Sequence, residues 1–482
     1  MPHLLFLACT LLSWVEPPAN TPAPPASALD LVTALETTLA DAIAKAEPSV
    51  VAIARDKTND GEETSAVRGR AQARGAFDPR IAVGNPDPLG GDPISFDYGS
   101  GVVIGEQGEI LTAFHVVKGA SRLVVRALGL VEFDAEIIAA DPRSDLAVIA
   151  PRRVLGLARP ALKPLALGDA TKLRKGSFLL ALGNPFNAAR DGRPSVGWGI
   201  LSNVARRLEP QAEDVMQGRR PLSVYPTLLQ LDAKLNLGMS GGAVINLKGE
   251  LVGLTTASAN AAGFDAQAGY AVPMDALGRR LVETLREGQE FEYGFLGIRL
   301  DVATGTNRVM AAQPGTPAGE GGVQTDDLIL AVGGTPVSNA DELVVAINTL
   351  PPGVPTKLKL ERGRDVKQIL ERTVELAKFP PEEGVIATTR PPAWRGVRVD
   401  YSSTLPNVGS SDGLLSALAR GGVAIVEVAA GSPGENAGLK RGQVITHVRG
   451  RKIRNPREFA QAVGDGKLPV PLSTDQGTVV VK

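Results

Sequence analysis

The chain has few residues that bind metals or form cross-links. Its 482 residues include one cysteine, Cys9, and three histidines. Cys9 lies in the apolar segment LLFLACTLLSWV, residues 4–15, and removal of this segment would leave no cysteine. Disulfide bonds, thiol catalysis and cysteine-based zinc sites are then excluded. Because only His115 and His447 remain beyond this segment, we expect neither a metal site nor a cofactor.

The chain also lacks an excess of charge of either sign. It has 51 basic and 52 acidic residues, so nothing in its charge indicates binding to nucleic acid or to an anionic membrane. The apolar segment 4–15 is too short for an ordinary membrane span and suits the core of a signal peptide. We therefore expect export to the periplasm or another extracytoplasmic space. No Lys or Arg precedes the segment, so an uncleaved tether to the membrane is the alternative.

A serine between glycines is the first candidate for chemistry. Ser240 lies in GMSGG, residues 238–242, and is followed by the strand pattern AVINLKGELVGL. This pattern is typical of a nucleophile on a tight loop, and a serine nucleophile needs a histidine base and an orienting acid. A glycine-rich hairpin turn is the alternative interpretation.

The scarcity of histidine leaves one good candidate for the base. His3 lies beside the apolar N-terminal segment, and His447 lies in VITHVRG, which is typical of an ordinary strand. His115 ends a strand in GEILTAFHVV, after a turn that contains glycine. A buried structural histidine is the alternative.

Two aspartates, Asp141 and Asp145, follow in AADPRSDLAVIA, and Asp145 is favoured because it directly precedes an apolar strand. The order His115, Asp145, Ser240 is that of the chymotrypsin arrangement. An α/β-hydrolase would have the order Ser, Asp, His, so its base would have to follow Ser240. Only His447 does so, and it lies in an ordinary strand pattern.

Five blocks carry a resemblance to a known family. In chain order they are TAFHVV, SDLAVI, ALGNPF, LDAKLNLGMSGGAVINLKGELVGL and AGYAVP, within residues 98–290. Together they resemble the HtrA/Deg family of trypsin-like serine proteases. The resemblance implies an ATP-independent endopeptidase that degrades unfolded or damaged exported proteins, and a homo-oligomer, commonly a trimer. Two features depart from the family pattern: Met239 stands where the family usually has Asn, and Ala113 and Phe114 are less polar than usual.

The resemblance also assigns the rest of the site. The oxyanion would be bound by backbone N–H groups of Gly238 and Ser240. The substrate pocket would be shaped by Leu235 and by the strand from Leu254 to Ala257, which includes Thr255 and Thr256. No acidic residue lies there, so a small or medium apolar P1 residue is expected.

A repeat occupies the C-terminal part of the chain. YGFLGIRL and the segment that follows, residues 293–347, parallel WRGVRVDY and its continuation, residues 394–463. Both copies resemble PDZ domains, which add a peptide C-terminus to a sheet edge. The loop that captures the terminal carboxylate would be Phe295, Leu296, Gly297 and Ile298, with a weaker match at residues 395–397. The alternative is that either copy is a spacer packed on the protease.

The overall prediction is a mainly β chain. Short strand patterns at 49–54, 178–183, 195–204 and 228–235 favour a barrel, and helical spacing marks 29–47 and 274–288. Residues 56–97 and 206–221 are predicted to be long polar loops. We expect a chymotrypsin-like double β-barrel protease domain followed by two small α+β PDZ-like domains. The boundaries are a signal peptide and tether at 1–27, the protease at 28–290, PDZ domains at 291–378 and 393–482, and a Pro-rich linker at 379–392.

Two other functions stay open at this stage. One is a catalytically idle chaperone or peptide-binding scaffold, for which the unusual Met239 is the reason. The other is a regulatory protease that cuts one specific partner after peptide engagement at a PDZ domain.

Overall fold

The computed structural model describes residues 27–57, 98–156, 158–184, 191–206, 227–236, 238–258, 269–300, 305–363, 366–380, 385–405, 421–464 and 468–482. The predicted signal peptide up to residue 26, and the predicted loops from 58 to 97 and from 207 to 221, lie outside the described residues. No helix of the described residues is long and apolar enough to cross a membrane.

The helices are few and short. They are α1 Ala28–Ala46, α2 Phe114–Val117, α3 Ala276–Arg286, α4 Pro317–Glu320, α5 Ala340–Thr349, α6 Pro433–Asn436 and α7 Pro456–Val463. Short 3-10 turns lie at Glu47–Ser49, Ala170–Lys172 and Ser402–Thr404. α1 begins with a capping box, because Ser27 accepts from the N–H of Asp30 and the carboxylate of Asp30 accepts from the N–H of Ser27.

The first half of the protease region is a closed barrel. Its strands are β1 Val50–Lys57, β2 Tyr98–Val103, β3 Ile110–Ala113, β4 Ala120–Ala127, β5 Val131–Asp141 and β6 Leu146–Pro151. The strand order β5-β4-β1-β2-β3-β6 closes through pairing of β5 with β6. All six residues of β6 are buried, so the turn between β5 and β6 is fixed on its C-terminal side by the barrel core.

The second half is another closed barrel. Its strands are β7 Phe178–Gly183, β8 Ser195–Arg206, β9 Leu228–Leu231, β10 Ala243–Ile245, β11 Leu251–Ser258 and β12 Gly269–Pro273, in the order β10-β11-β12-β9-β8-β7. α3 follows, capped by Asp275, and buries its apolar face. The chain segment between β9 and β10 contains Ser240.

Two small α+β domains complete the chain. The first contains β13 Gly294–Phe295, β14 Ile298–Leu300, β15 Val309–Ala312, β16 Leu328–Val332, β17 Thr335–Pro336, β18 Pro355–Arg362, β19 Gln368–Glu375 and β20 Ala377–Lys378. After β21 Ile386–Ala387, the second contains β22 Val397–Tyr401, β23 Val423–Val428, β24 Val444–Val448, β25 Arg451–Lys452, β26 Val470–Thr474 and β27 Gly477–Val481.

The two small domains repeat one local geometry. Gly297 has φ +81° and a Cβ placed there would lie 2.2 Å from the Cβ of Thr316, which caps α4. Gly396 has φ +80° and a Cβ there would lie 2.1 Å from the Cβ of Ser432, which caps α6. Only glycine combines this φ with this close approach. The predicted mainly β fold of two barrels and two α+β domains is confirmed.

The segment between the small domains contacts the first barrel. β21 pairs with the end of β5, with Ile386 opposite Ala140 and Ala387 opposite Ala139. The N–H of Thr388 donates to the carbonyl of Ile138 at 3.2 Å. This part of the predicted Pro-rich linker is therefore held as an added strand.

Lys378 connects three parts of the chain. Its side chain is 2% exposed and its ammonium lies 2.8 Å from carboxylates of both Glu290 and Asp400 and 3.4 Å from that of Glu292. Glu290 and Glu292 follow α3, whereas Asp400 lies on β22. Burial lowers the pKa of Lys378, but the three carboxylates outweigh this effect and raise it above its ordinary value.

Candidate active site

His115 and Asp145 meet at one end of the first barrel. His115 lies on α2, directly after β3, and Asp145 lies in the turn between β5 and β6. Nδ1 of His115 is 2.8 Å from Oδ2 of Asp145, and the backbone N–H of His115 donates to Oδ1 at 3.0 Å. The N–H of Phe114 donates to the carbonyl of Asp145 at 2.9 Å. These contacts fix the ring through Nδ1, and the His115 side chain is 29% exposed whereas that of Asp145 is only 1% exposed.

The charges around the ring determine its protonation. Burial is the largest single influence and lowers the pKa of His115, but Asp145 raises it by attraction and by its hydrogen bond. Arg55 lies on β1, donates to the carbonyl of His115 at 3.0 Å, and lowers the pKa by repulsion. The net pKa is raised above the ordinary value.

Thr256 joins Asp145 to the second barrel. Its hydroxyl on β11 donates to Oδ2 of Asp145, and its side chain is buried with that carboxylate. The carbonyl of the same residue accepts a hydrogen bond from the hydroxyl of Ser240 at 3.3 Å. One residue of β11 therefore contacts both Asp145 and Ser240. Among the residues that the structure describes, Ser240 and the His115 ring share no hydrogen bond.

Residues 238–242, the nucleophile loop, have a defined backbone geometry. The N–H of Met239 donates to the carbonyl of Asn236 at 3.1 Å, and Gly238 in the third position of this turn has φ +91°. Glycine adopts a positive φ without the strain that other residues incur. Within the described part of the chain, the N–H groups of Gly238 and Ser240 donate to no protein acceptor.

Met239 packs in the core of the second barrel. Its side chain is 3% exposed and belongs to a cluster that includes Leu179, Leu229 and Val244. Its carbonyl accepts from the hydroxyl of Thr255 and from the N–H of Gly242. Apolar packing thus anchors the loop at the position where a polar Asn was expected.

The residues assigned to the substrate pocket have different environments. Leu254 is fully buried in the protease core, and the hydroxyls of Thr255 and Thr256 are occupied by Met239 and Asp145. Leu235 is half-buried, and a Cβ on Gly269 would lie 2.5 Å from it. Of the four residues assigned to the pocket, Leu235 is the one whose side chain is partly exposed.

Comparison with known proteins matches three family models to the chain. A trypsin-like peptidase domain matches residues 99–254, and PDZ domains match residues 294–370 and 425–472. The chain is 30% identical over 397 residues to a probable periplasmic serine endoprotease, DegP-like, of Chlamydia trachomatis, covering 79% of this chain and 73% of that protein. This chain belongs to the HtrA/Deg family of serine endoproteases.

Further relatives agree with this membership. The periplasmic pH-dependent serine endoprotease DegQ of Escherichia coli is 30% identical over 394 residues, covering 79% of this chain and 78% of that protein. The solved structure of the HtrA-type protease AlgW with tripeptide is 25% identical, with a TM-score of 0.51, and covers 72% of this chain and 98% of that chain. The predicted family, the PDZ repeat and the enzyme class, a serine endopeptidase, are confirmed.

The predicted carboxylate loops of this HtrA/Deg protease lie at the start of each PDZ domain. In the first, the carbonyls of Leu296 and Gly297 accept from Ala318 and Gln313, while among the described residues the N–H groups of Leu296 and Gly297 have no acceptor. Phe295 stacks edge-on with Phe379, and Ile298 begins β14. In the second domain, Gly396 is the equivalent of Gly297, and the N–H of Val397, at the position of Ile298, donates to the carbonyl of Trp394 at 2.8 Å.

The sequence did not reveal the contacts of three residues around the site. Thr256 was expected in the pocket, and its hydroxyl bonds to Asp145, whereas Arg55 and Ser100 were not named from the sequence. Their contacts are separated by 60 residues or more along the chain, so no local pattern reveals them. The only local signal is the GSG segment at 99–101, where glycines flank Ser100.

Proposed function

We propose that His115, Asp145 and Ser240 are the catalytic triad of this HtrA/Deg serine endopeptidase. The observation that carries the proposal is the contact of 2.8 Å between His115 and a buried Asp145, with Thr256 linking that carboxylate to Ser240. An aspartate at Nδ1 holds the imidazole in the tautomer whose Nε2 can accept a proton. The raised pKa of His115 strengthens it as a base when it is neutral.

The reaction begins when the hydroxyl of Ser240 turns from the carbonyl of Thr256 to Nε2 of His115. His115 takes the hydroxyl proton as the oxygen of Ser240 attacks the peptide carbonyl. Negative charge then develops on the carbonyl oxygen, and the N–H groups of Gly238 and Ser240 stabilise it. His115 gives the proton to the leaving amine, and a water molecule hydrolyses the acyl-enzyme by the same steps.

We further propose that the substrates are unfolded or damaged exported proteins and that the first PDZ domain binds peptide C-termini. The N–H groups of Leu296 and Gly297, which have no acceptor among the described residues, support this binding, because a terminal carboxylate is captured by such backbone donors. The segment 254–256, which has no acidic side chain, supports a small or medium apolar P1 residue near Leu235. No nucleic acid partner is proposed.

The remaining assignments follow from the relatives and the sequence. Relatives of this chain are named periplasmic endoproteases, and the N-terminal apolar segment suits export, so we place the protein outside the cytoplasm. The proposed boundaries are 1–27, 28–290, 291–378, 379–392 and 393–482 for the signal peptide with its tether, the protease, the first PDZ domain, the linker and the second PDZ domain. A homo-oligomer is proposed, with a trimer as the first state to test.

Labelling with a fluorophosphonate tests the triad. The wild-type protein should be labelled at Ser240 and should degrade unfolded casein, whereas Ser240→Ala should do neither. His115→Ala should also abolish labelling, because the hydroxyl loses its base. A folded wild-type protein that is not labelled at Ser240 would contradict the proposal.

A second candidate is an idle scaffold that binds unfolded chains. The specific observation in its favour is that the hydroxyl of Ser240 donates to Thr256 rather than to His115. If the protein is a scaffold, the wild type and Ser240→Ala should suppress casein aggregation equally well. Neither sample should then contain casein fragments. Cleavage by the wild type alone decides for the protease.

A further inference from the structure

Ser100 is a buried residue of β2 that contacts the nucleophile loop of the other barrel. It is 0% exposed. Its N–H donates to the carbonyl of Ser240 at 2.8 Å, and its hydroxyl donates to the carbonyl of Gly238 at 2.7 Å. The same hydroxyl oxygen accepts from the N–H of Asn184 at 2.8 Å. A residue of the first barrel therefore holds the loop on both sides of Met239.

These contacts fix one peptide group. The carbonyl of Gly238 points into the interior toward Ser100, and the N–H of Met239 points to the carbonyl of Asn236. A hydroxyl has a single proton to donate, and Ser100 donates it to Gly238. Rotation of the Gly238–Met239 peptide would leave the proton of this buried hydroxyl without an acceptor and this carbonyl without a donor, and an unsatisfied buried group costs about 1–3 kcal/mol.

The glycines around Ser100 allow this close approach. A Cβ on Gly241 would lie 2.2 Å from the carbonyl oxygen of Ser100, and a Cβ on Gly183 would lie 3.0 Å from its Oγ. The backbone of the loop is thus in contact with Ser100 without intervening side chains. The hydroxyl of Thr112 on β3 in turn donates to the carbonyl of Ser100 at 2.7 Å.

We propose that Ser100 is a positioning residue for catalysis, because it holds the carbonyls of Gly238 and Ser240 and so fixes the backbone that carries the two proposed oxyanion donors, the N–H groups of Gly238 and Ser240. The inference rests on the proposed triad. It also places control of the oxyanion site on the barrel that carries His115, since Ser100 directly precedes Gly101, the first residue of β2 that pairs with β3. The oxyanion donors and the base are thereby held by one rigid sheet.

Ser100→Ala tests this inference, with Ser403→Ala as the matched control. Ser403 is also 0% exposed, and its hydroxyl also donates to a backbone carbonyl, that of Lys378, at 2.7 Å. Both substitutions remove one buried hydroxyl that donates to a backbone carbonyl, but only Ser100 contacts the nucleophile loop. The assay measures kcat and KM on an apolar-P1 peptide, per active site titrated with a fluorophosphonate, and Ki for the boronic acid of the same peptide.

We expect Ser100→Ala to lower kcat on the order of 10-fold to 100-fold, because a loosened oxyanion donor loses part of what a deleted donor loses. KM should change little, and Ki for the boronic acid should rise by the same factor as kcat/KM falls. Ser403→Ala should match the wild type in all three quantities.

A second substitution guards against poor folding of Ser100→Ala. Ser100→Cys keeps the size of the side chain and supplies a weaker donor, so its kcat per titrated site should lie between those of wild type and Ser100→Ala. Equal kcat per titrated site in all three proteins would overturn the inference while the proposed function stands. Absence of wild-type labelling at Ser240 would instead overturn the proposed function itself.

Discussion

The hydroxyl of Thr256 donates to the carboxylate of Asp145, so the second barrel supports the acid that lies on the first. Asp145 thereby has three donors: this hydroxyl, the ring of His115 and the backbone N–H of His115. Its φ of +58° is unusual for a residue other than glycine, and these hydrogen bonds offset the cost of that conformation.

Thr256→Val should reduce kcat on the order of 10-fold to 100-fold. The carboxylate of Asp145 loses a donor and then holds the His115 ring less firmly in its orientation. The substitution keeps the shape of the side chain, so KM for a short peptide should stay close to the wild-type value. Steady-state kinetics on the folded variant measures both. Thr356→Val is the control, since Thr356 is also buried but bonds to the carbonyl of Val354 in the first PDZ domain; an equal loss of kcat in this control would contradict the prediction.

The pH dependence of kcat/KM should report the pKa of His115. The base must be neutral, so kcat/KM falls as pH decreases through that pKa, and the raised pKa places the acidic limb above about pH 6.5. Arg55→Met removes a positive charge that lowers this pKa, so the limb should move to higher pH. Arg126→Met is the control, because Arg126 pairs with Glu132 on the same barrel. A limb that moves equally in both variants, or to lower pH in Arg55→Met, would be evidence against this role.

Gly238→Ala and Gly176→Ala separate backbone strain from steric conflict. Their φ values are nearly equal, +91° and +87°, but a Cβ on Gly238 would lie 2.5 Å from the carbonyl oxygen of Asn184, whereas one on Gly176 meets nothing within 4 Å. Gly176→Ala should cost roughly 1–3 kcal/mol of unfolding free energy and keep kcat. Gly238→Ala should cost more and lower kcat about 100-fold or more, because the nucleophile loop is displaced. Urea unfolding and kinetics on the two variants check this, and full activity of Gly238→Ala would refute it.

Lys378→Met should destabilise the junction of the protease and the PDZ domains. Removing the ammonium leaves Glu290, Glu292 and Asp400 as neighbouring carboxylates, which costs about 3–5 kcal/mol when a buried pair is broken. Burial already raises the pKa of Glu290, so the carboxylate is protonated more readily at low pH and the loss should be larger at pH 8 than at pH 5.

Thermal unfolding and limited proteolysis of the full chain at the two pH values measure this loss. Lys367→Met is the control, since Lys367 is 64% exposed and its pair with Glu361 is worth little. The prediction fails when the two variants lose the same stability, or when the loss for Lys378→Met does not depend on pH.

Much of the site could be inferred from the sequence because its key residue types are rare. With three histidines in the chain, His115 was nearly determined by elimination, and Asp145 and Ser240 followed from their order and from the strands beside them. The strands of both barrels were recognisable because alternating or continuous apolar runs are local patterns. The PDZ repeat was recognisable because the turn at Gly297 recurs at Gly396, where only glycine fits.

Other features depend on contacts between distant parts of the chain. Met239 gave reason to doubt the nucleophile loop, yet its side chain fills the core of the second barrel and its carbonyl is bonded to Thr255. The segment at Ile386 was predicted to be a linker, yet it pairs with β5. Neither outcome could be predicted, because both depend on which surfaces face each other after folding.

The sequence by itself determined the fold class and the family and led to the proposed triad, since each depends on local pattern or on residue type. The tertiary structure alone decided how those residues are held. Ser100 fixes the carbonyl of Gly238, and Thr256 bonds to Asp145, in each case across more than 100 residues of chain. The physical reason is that hydrogen-bond geometry depends on tenths of an ångström, and only the packing of two closed barrels against each other sets distances on that scale.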